Sequence, residues 1–105
     1  MIEKLIEEEL QKANKKFPLF SSWHEAYAVI LEEVQEAQEE VLMMGDLEVN
    51  SLWVNIRSKK ARESDRLTNI DEIRGYAVRA IEELIQVAAM CDKAVMSLVG
   101  GGKTE

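Results

Sequence analysis

A chain of 105 residues, 47% hydrophobic and 31% charged, is sized for one domain with a modest core. Its net charge of -7 argues against general nucleic-acid binding, because no positive field gathers phosphate backbone. A single cysteine, Cys91, excludes an internal disulfide and fits a reducing cytoplasm.

Ile2, Leu5, Ile6, Leu10 and Ala13 recur at helical spacing with charges between them, which predicts an amphipathic helix over about residues 2–15. This start is amphipathic rather than basic and then apolar, so no signal peptide is expected. Lys15 and Lys16 fall in its last turn, where cations suit the helix dipole, and Pro18 blocks continuation.

Ser22-Trp23-His24-Glu25 has the S-x-x-E form of a capping box, so a second helix is expected over about residues 22–44, with Gly45 as its stop. Trp23, Tyr27, Ile30, Val34, Ala37 and Val41 repeat at spacings of four and three, the pattern of a packing seam. The same helix holds Glu32, Glu33, Glu36, Glu39 and Glu40, and no Lys or Arg occurs between Phe17 and Ile56 to neutralise them. Like charges at i,i+3 and i,i+4 repel by a few tenths of a kcal/mol per pair. Glu33, Glu36 and Glu40 flank the seam at the rim of the core, whereas Glu32 and Glu39 point to water.

Val49, Leu52, Trp53 and Ile56 mark a shorter third helix over about residues 47–58. The segment Arg57–Arg66 then holds five of the thirteen Lys and Arg residues and reads as a mobile basic connection. Asn69-Ile70-Asp71-Glu72 offers a further cap. Ile70, Ile73, Ala77, Ala80, Leu84, Ala88, Cys91, Val95 and Leu98 extend the last helix over about residues 70–98. From Leu84 onward it is apolar nearly all round, which predicts wrapping by other helices or another subunit. A strip of Tyr76, Arg79, Glu83, Gln86, Met90 and Lys93 runs beside that seam as the rim facing the glutamates. Asp92 and Lys93 interrupt the longest apolar run short of the roughly 18 residues of a membrane span. Strand signals are absent. The expected fold is all-α, a bundle of long antiparallel helices with a short additional helix. It forms a single domain over residues 1–99, with a flexible tail over residues 100–105.

Two carboxylates at i,i+3 hold one hard divalent cation or bridge two, and Glu33 and Glu36 supply that spacing, with Glu83 on a facing helix to complete it. The same E-x-x-E pattern also occurs on many solvated helix faces. His24 in a first helical turn reads as structural. Cys91 on the seam reads as a buried inert thiol, since no histidine is placed to activate it. Trp23, Trp53 and Tyr76 read first as core or interface residues, with Trp53 preferred as an apolar wall for a nucleobase.

Leu31-Glu32-Glu33-Val34-Gln35-Glu36-Ala37 resembles the E-E-x-x-E helix of the all-α nucleoside triphosphate pyrophosphohydrolases, the MazG-like superfamily. Ala80-Ile81-Glu82-Glu83-Leu84-Ile85-Gln86-Val87-Ala88-Ala89-Met90 resembles its E-x-x-D motif. The segments Ser22–Tyr27 and Gln86–Met90 are similar to small phage- and prophage-type members. The likeness spans roughly residues 17–96. It implies a homo-oligomeric helical bundle, dimer or tetramer, that uses Mg²⁺, or Mn²⁺ in its place. The implied reaction cleaves a nucleoside triphosphate to the monophosphate and pyrophosphate. The resemblance places Glu33, Glu36 and Glu83 as metal ligands and catalytic carboxylates, with Gln86 completing the metal set. Charge logic, rather than the resemblance, adds Lys59, Lys60, Arg62, Arg79 and Lys93 as partners for the triphosphate. The expected partner is thus a small nucleotide, with no membrane and no nucleic-acid polymer.

Gln86 stands where the family has Asp, and an amide adds no charge and cannot act as a base. The segment between Glu36 and Glu83 is also longer than in compact members, leaving room for a substrate lid or an oligomer contact. Two alternatives therefore stand beside hydrolysis: a nucleotide- or metal-binding relative without turnover, and a helical interaction module.

Overall fold

The computed structural model describes residues 1–99, so the tail expected over residues 100–105 lies outside the described residues. The fold is all-α, with no strand among the described residues. Its first helix, α1, runs Ile2–Lys16. Phe17 ends it in an extended conformation, as the residue before Pro18 must, and donates its N–H to the Ala13 carbonyl at 2.9 Å.

Helix α2 spans Trp23–Leu47. The Glu25 N–H bonds the Ser22 hydroxyl at 3.1 Å, as a capping box requires. The returning Glu25 carboxylate takes the N–H and hydroxyl of Ser21 instead of the Ser22 N–H. Gly45 does not stop the helix. No described glycine has a positive φ, so Gly45 forms no left-handed cap and stays helical. The chain continues through a π-helical turn, Glu48–Leu52, into α3, Trp53–Arg57. The third helix expected over residues 47–58 is therefore a continuation of the second.

Helix α4 runs Glu63–Leu98, starting well before the expected cap at Asn69. The Asp65 carboxylate accepts the Arg62 N–H at 2.9 Å and caps the new start. Asn69 is buried and accepts a 2.6 Å bond from the Asn55 amide. The basic connection shrinks to residues 58–62.

The chain divides into two compact units. The first comprises Met1–Glu36 and the described residues from Glu82 onward; the second is Ala37–Ile81. The core of the first unit joins Ile6 and Leu10 of α1 to Phe20, to Ala26 of α2, and to Ala89, Met90 and Ala94 of α4. Fully burying a side chain such as Leu10 contributes about 1.5–3 kcal/mol. Small alanines let the helices approach closely, and this rotates the expected seams. On α2 the inward residues are Ala26, Val29 and Ile30, while Trp23 and Tyr27 lie exposed. On α4 the strip read as a polar rim turns inward, with Met90 and Lys93 buried. Leu84, Val95 and Cys91, expected on the seam, are exposed instead. Cys91 is therefore not the buried thiol expected, and among the described residues the apolar end of α4 is covered on one side only.

The second unit buries little: Ala37, Ala80 and Asn69. Polar bonds hold it locally. The Arg66 guanidinium donates to the Asn55 carbonyl at 3.1 Å, and the Asn50 amide donates to Asp46 at 2.6 Å. No helix among the described residues is long and apolar enough to cross a membrane.

Candidate active site

Glu33 and Glu36 sit one helical turn apart on α2, and Glu83 reaches them from α4 within the same unit. One carboxylate oxygen from each lies within 4.8 Å of the other two. Glu33 and Glu83 are half-buried, whereas Glu36 is exposed. The rotation of α2 explains this placement: the turn that buries Ala26 and Ile30 carries Glu33 inward with them.

Burial, first of all, pushes the Glu33 carboxyl up to about 7 from its ordinary 4.5. Next come a hydrogen bond to Glu36 and the negative charges of Glu36, Glu83 and Glu32. A carboxyl at that value takes up a proton near neutral pH to relieve the crowding. A hard divalent cation would relieve it in the same way, and three carboxylate oxygens are the donors that Mg²⁺ and Mn²⁺ prefer. The donor set therefore fits such an ion.

Beside Glu33 the first unit opens into a recess of about 760 Å³. Pockets for small ligands are commonly of this size. Gln86 also lines it, so the neutral amide faces the same space as Glu33. The end of α1 forms one wall, with Lys12, Lys15, Lys16, Phe17 and Pro18. Phe20, Val29 and Met90 give an apolar surface.

Lys93 lines the recess as well, yet only 2% of its surface is exposed. Its ammonium lies 5.0 Å from the centre of the Phe20 ring. No hydrogen bond or ion pair to it is found among the described residues. Burial lowers its pKa, and the nearby Glu25 charge offsets part of that effect. Phe20 is fixed in turn: its N–H bonds the Ser97 hydroxyl at 3.0 Å, and that hydroxyl donates to the Lys93 carbonyl at 2.7 Å.

The structure thus brings Glu33, Glu36, Glu83, Gln86 and Lys93 into one unit. Lys59, Lys60, Arg62, Trp53 and Arg79 belong to the other. There Arg79 is engaged, with its Nε 3.3 Å from Glu40 and its guanidinium 4.2 Å over the Tyr76 ring. Trp53 is half-exposed, with Arg57 5.6 Å from its ring centre. Sequence reasoning missed the wall at Lys15-Lys16-Phe17-Pro18, which it used only to end α1. The visible signal was two lysines next to an aromatic residue and a proline.

Searches against protein-family models, curated proteins and solved structures each find no match to this chain.

Proposed function

We propose that the protein is a Mg²⁺-dependent nucleoside triphosphate pyrophosphohydrolase, releasing the monophosphate and pyrophosphate. The observation that carries this reading is the convergence of Glu33, Glu36 and Glu83, predicted from two separated motifs, to within 4.8 Å of one another. The adjoining recess supports it by offering room for a small molecule beside the carboxylates.

In this mechanism Glu33, Glu36 and Glu83 hold the ion. Mg²⁺ bound there would supply charge neutralisation at the phosphates and an activated water. Glu36, the exposed member of the three, would help position the attacking water. Glu33 is half-buried and crowded by like charge, which raises its pKa, so a bound cation would displace its proton. Lys93 supplies positive charge from the wall of the recess, with most of its side chain covered by protein. The hydrophobic residues left exposed on the first unit, Trp23, Tyr27, Leu84 and Val95, support assembly of two or more copies.

Gln86 favours a second reading, in which the same site binds metal and nucleotide without turnover. It lines the recess beside Glu33 but brings no charge and no base.

The test is pyrophosphate release from a panel of NTPs and dNTPs with and without Mg²⁺. Hydrolysis is expected only with the metal, with a loss of about 100-fold or more in Glu36→Ala. Absence of turnover, with a melting temperature that rises on adding Mg²⁺ and nucleotide, selects the second reading. If neither ligand changes stability, both fail and a helical interaction module is left.

A further inference from the structure

We propose that the recess beneath the end of α1 holds the polyphosphate arm of the ligand, with Lys93 as its floor and Lys15 and Lys16 at its mouth. The basic connection at residues 58–62 then has no part in it. The ligand class rests on the nucleotide reading above; the anion preference rests on the recess itself.

The first observation is Lys93. A lysine with 2% of its surface exposed is normally paired, because a bare buried ammonium is costly. Here no ion pair or hydrogen bond to it is found among the described residues; the Phe20 ring lies against it, and the Glu25 charge acts on it from the same recess. A cation–π contact offsets part of that cost and leaves the donors unused. Glu25, the carboxylate whose charge reaches Lys93, is held by the N–H and hydroxyl of Ser21. Three N–H donors at a recess of this size are open to an anionic acceptor.

The second observation is the mouth. Lys15 and Lys16 line the same recess and make no ion pair among the described residues, whereas Lys12 beside them is paired with Glu9 at 3.5 Å. Suiting the helix C-terminus is the simple account of these two lysines. It does not account for Lys93, which lies on another helix and faces the same space. Glu33 at the edge joins the recess to the carboxylate cluster. The recess also carries Glu9, Glu25 and Glu32, with Glu9 paired to Lys12 and Glu25 bonded to Ser21, so a polyphosphate there would draw on Lys93, Lys15 and Lys16 and reach a metal-holding carboxylate at Glu33. Phe17, largely exposed at the mouth, offers a flat apolar face to a ring carried by the same ligand.

The test is calorimetric titration with two probes in the presence of Mg²⁺: inorganic tripolyphosphate and an α,β-imido deoxynucleoside triphosphate. Lys93→Met keeps the length of the buried side chain and removes its charge. It should fold, melt no lower than the wild type, and bind both probes about tenfold more weakly. Lys15→Gln/Lys16→Gln, at an exposed position that folding does not depend on, should weaken both as well. Lys59→Gln/Lys60→Gln should change neither. Unchanged Kd values in Lys93→Met and in the double variant would overturn the proposal even if the wild type hydrolyses nucleotides. Lysine-dependent binding of tripolyphosphate without hydrolysis would support the recess and remove the pyrophosphohydrolase reading. Failure of the wild type to bind either probe would overturn both.

Discussion

The two units differ in how crowded their charges are. In the second unit several charged and polar side chains meet complements: Arg79 meets Glu40, Arg66 meets the Asn55 carbonyl, and the Asn55 amide meets Asn69. In the first unit, Glu33, Glu36 and Glu83 crowd one another, and Lys93 is buried against an aromatic ring without an ion pair. The first unit also holds the larger apolar core. A well-packed scaffold there tolerates electrostatic cost at the recess, the pattern expected where side chains are kept for a ligand. The second unit buries little, and among the described residues it holds no comparable cluster of carboxylates.

Truncating the core should show the sharpest contrast. Leu10→Ala, in the first unit, should cost about 2–4 kcal/mol in urea unfolding. Leu67→Ala, at an exposed position of the second, should cost less than about 0.5 kcal/mol. Similar losses at the two positions would erase the difference in core.

Charge comes next. A Glu33 carboxyl raised to about 7 against an ordinary 4.5 binds more protons folded than unfolded between those values. Its protonation therefore stabilises the fold, and that contribution is lost as pH rises through about 7. Glu33→Gln should accordingly raise stability by about 1–3 kcal/mol at pH 8 in metal-free buffer, after allowing for partial solvent screening. At pH 4 the gain should vanish. Glu40→Gln, in the second unit, removes the partner of Arg79 and should lower stability by up to about 0.5 kcal/mol. The opposite signs are the point of the pair. Melting curves at the two pH values check both, and equal signs would collapse the comparison.

Gly45→Ala gives a smaller effect. Gly45 lies within α2, and a methyl group added there meets nothing within 4 Å. Stability should rise by about 0.5–1 kcal/mol, through better helix propensity. A loss would restore Gly45 as the helix stop that its sequence position suggests.

Much of this fold was legible in the sequence. Periodicity found α1, α2 and α4, and the serine cap at Ser22 is present. The boundaries that failed depended on choices between local signals. Asp65 capped α4 before Asn69 was reached, and Gly45 kept a helical φ that its freedom did not require it to leave. The seams failed for a different reason. Periodicity gives the spacing of inward residues, but the phase was drawn through the largest side chains. Close helix packing selected Ala26, Ala89 and Ala94 and left Trp23, Tyr27 and Leu84 outside. The carboxylate cluster was readable because two short motifs placed it on two helices. The recess was not, because its walls come from α1, the turn at Phe20, α2 and α4, and only packing brings these together.

The central claim is that Glu33, Glu36 and Glu83 hold a divalent cation. Mn²⁺ titration followed by electron paramagnetic resonance tests it without any nucleotide. The account predicts saturable binding that weakens by about 10-fold or more in both Glu36→Gln and Glu83→Gln, and competition by Mg²⁺. Mn²⁺ that stays free at millimolar protein, or binds equally to the wild type and both variants, would contradict it.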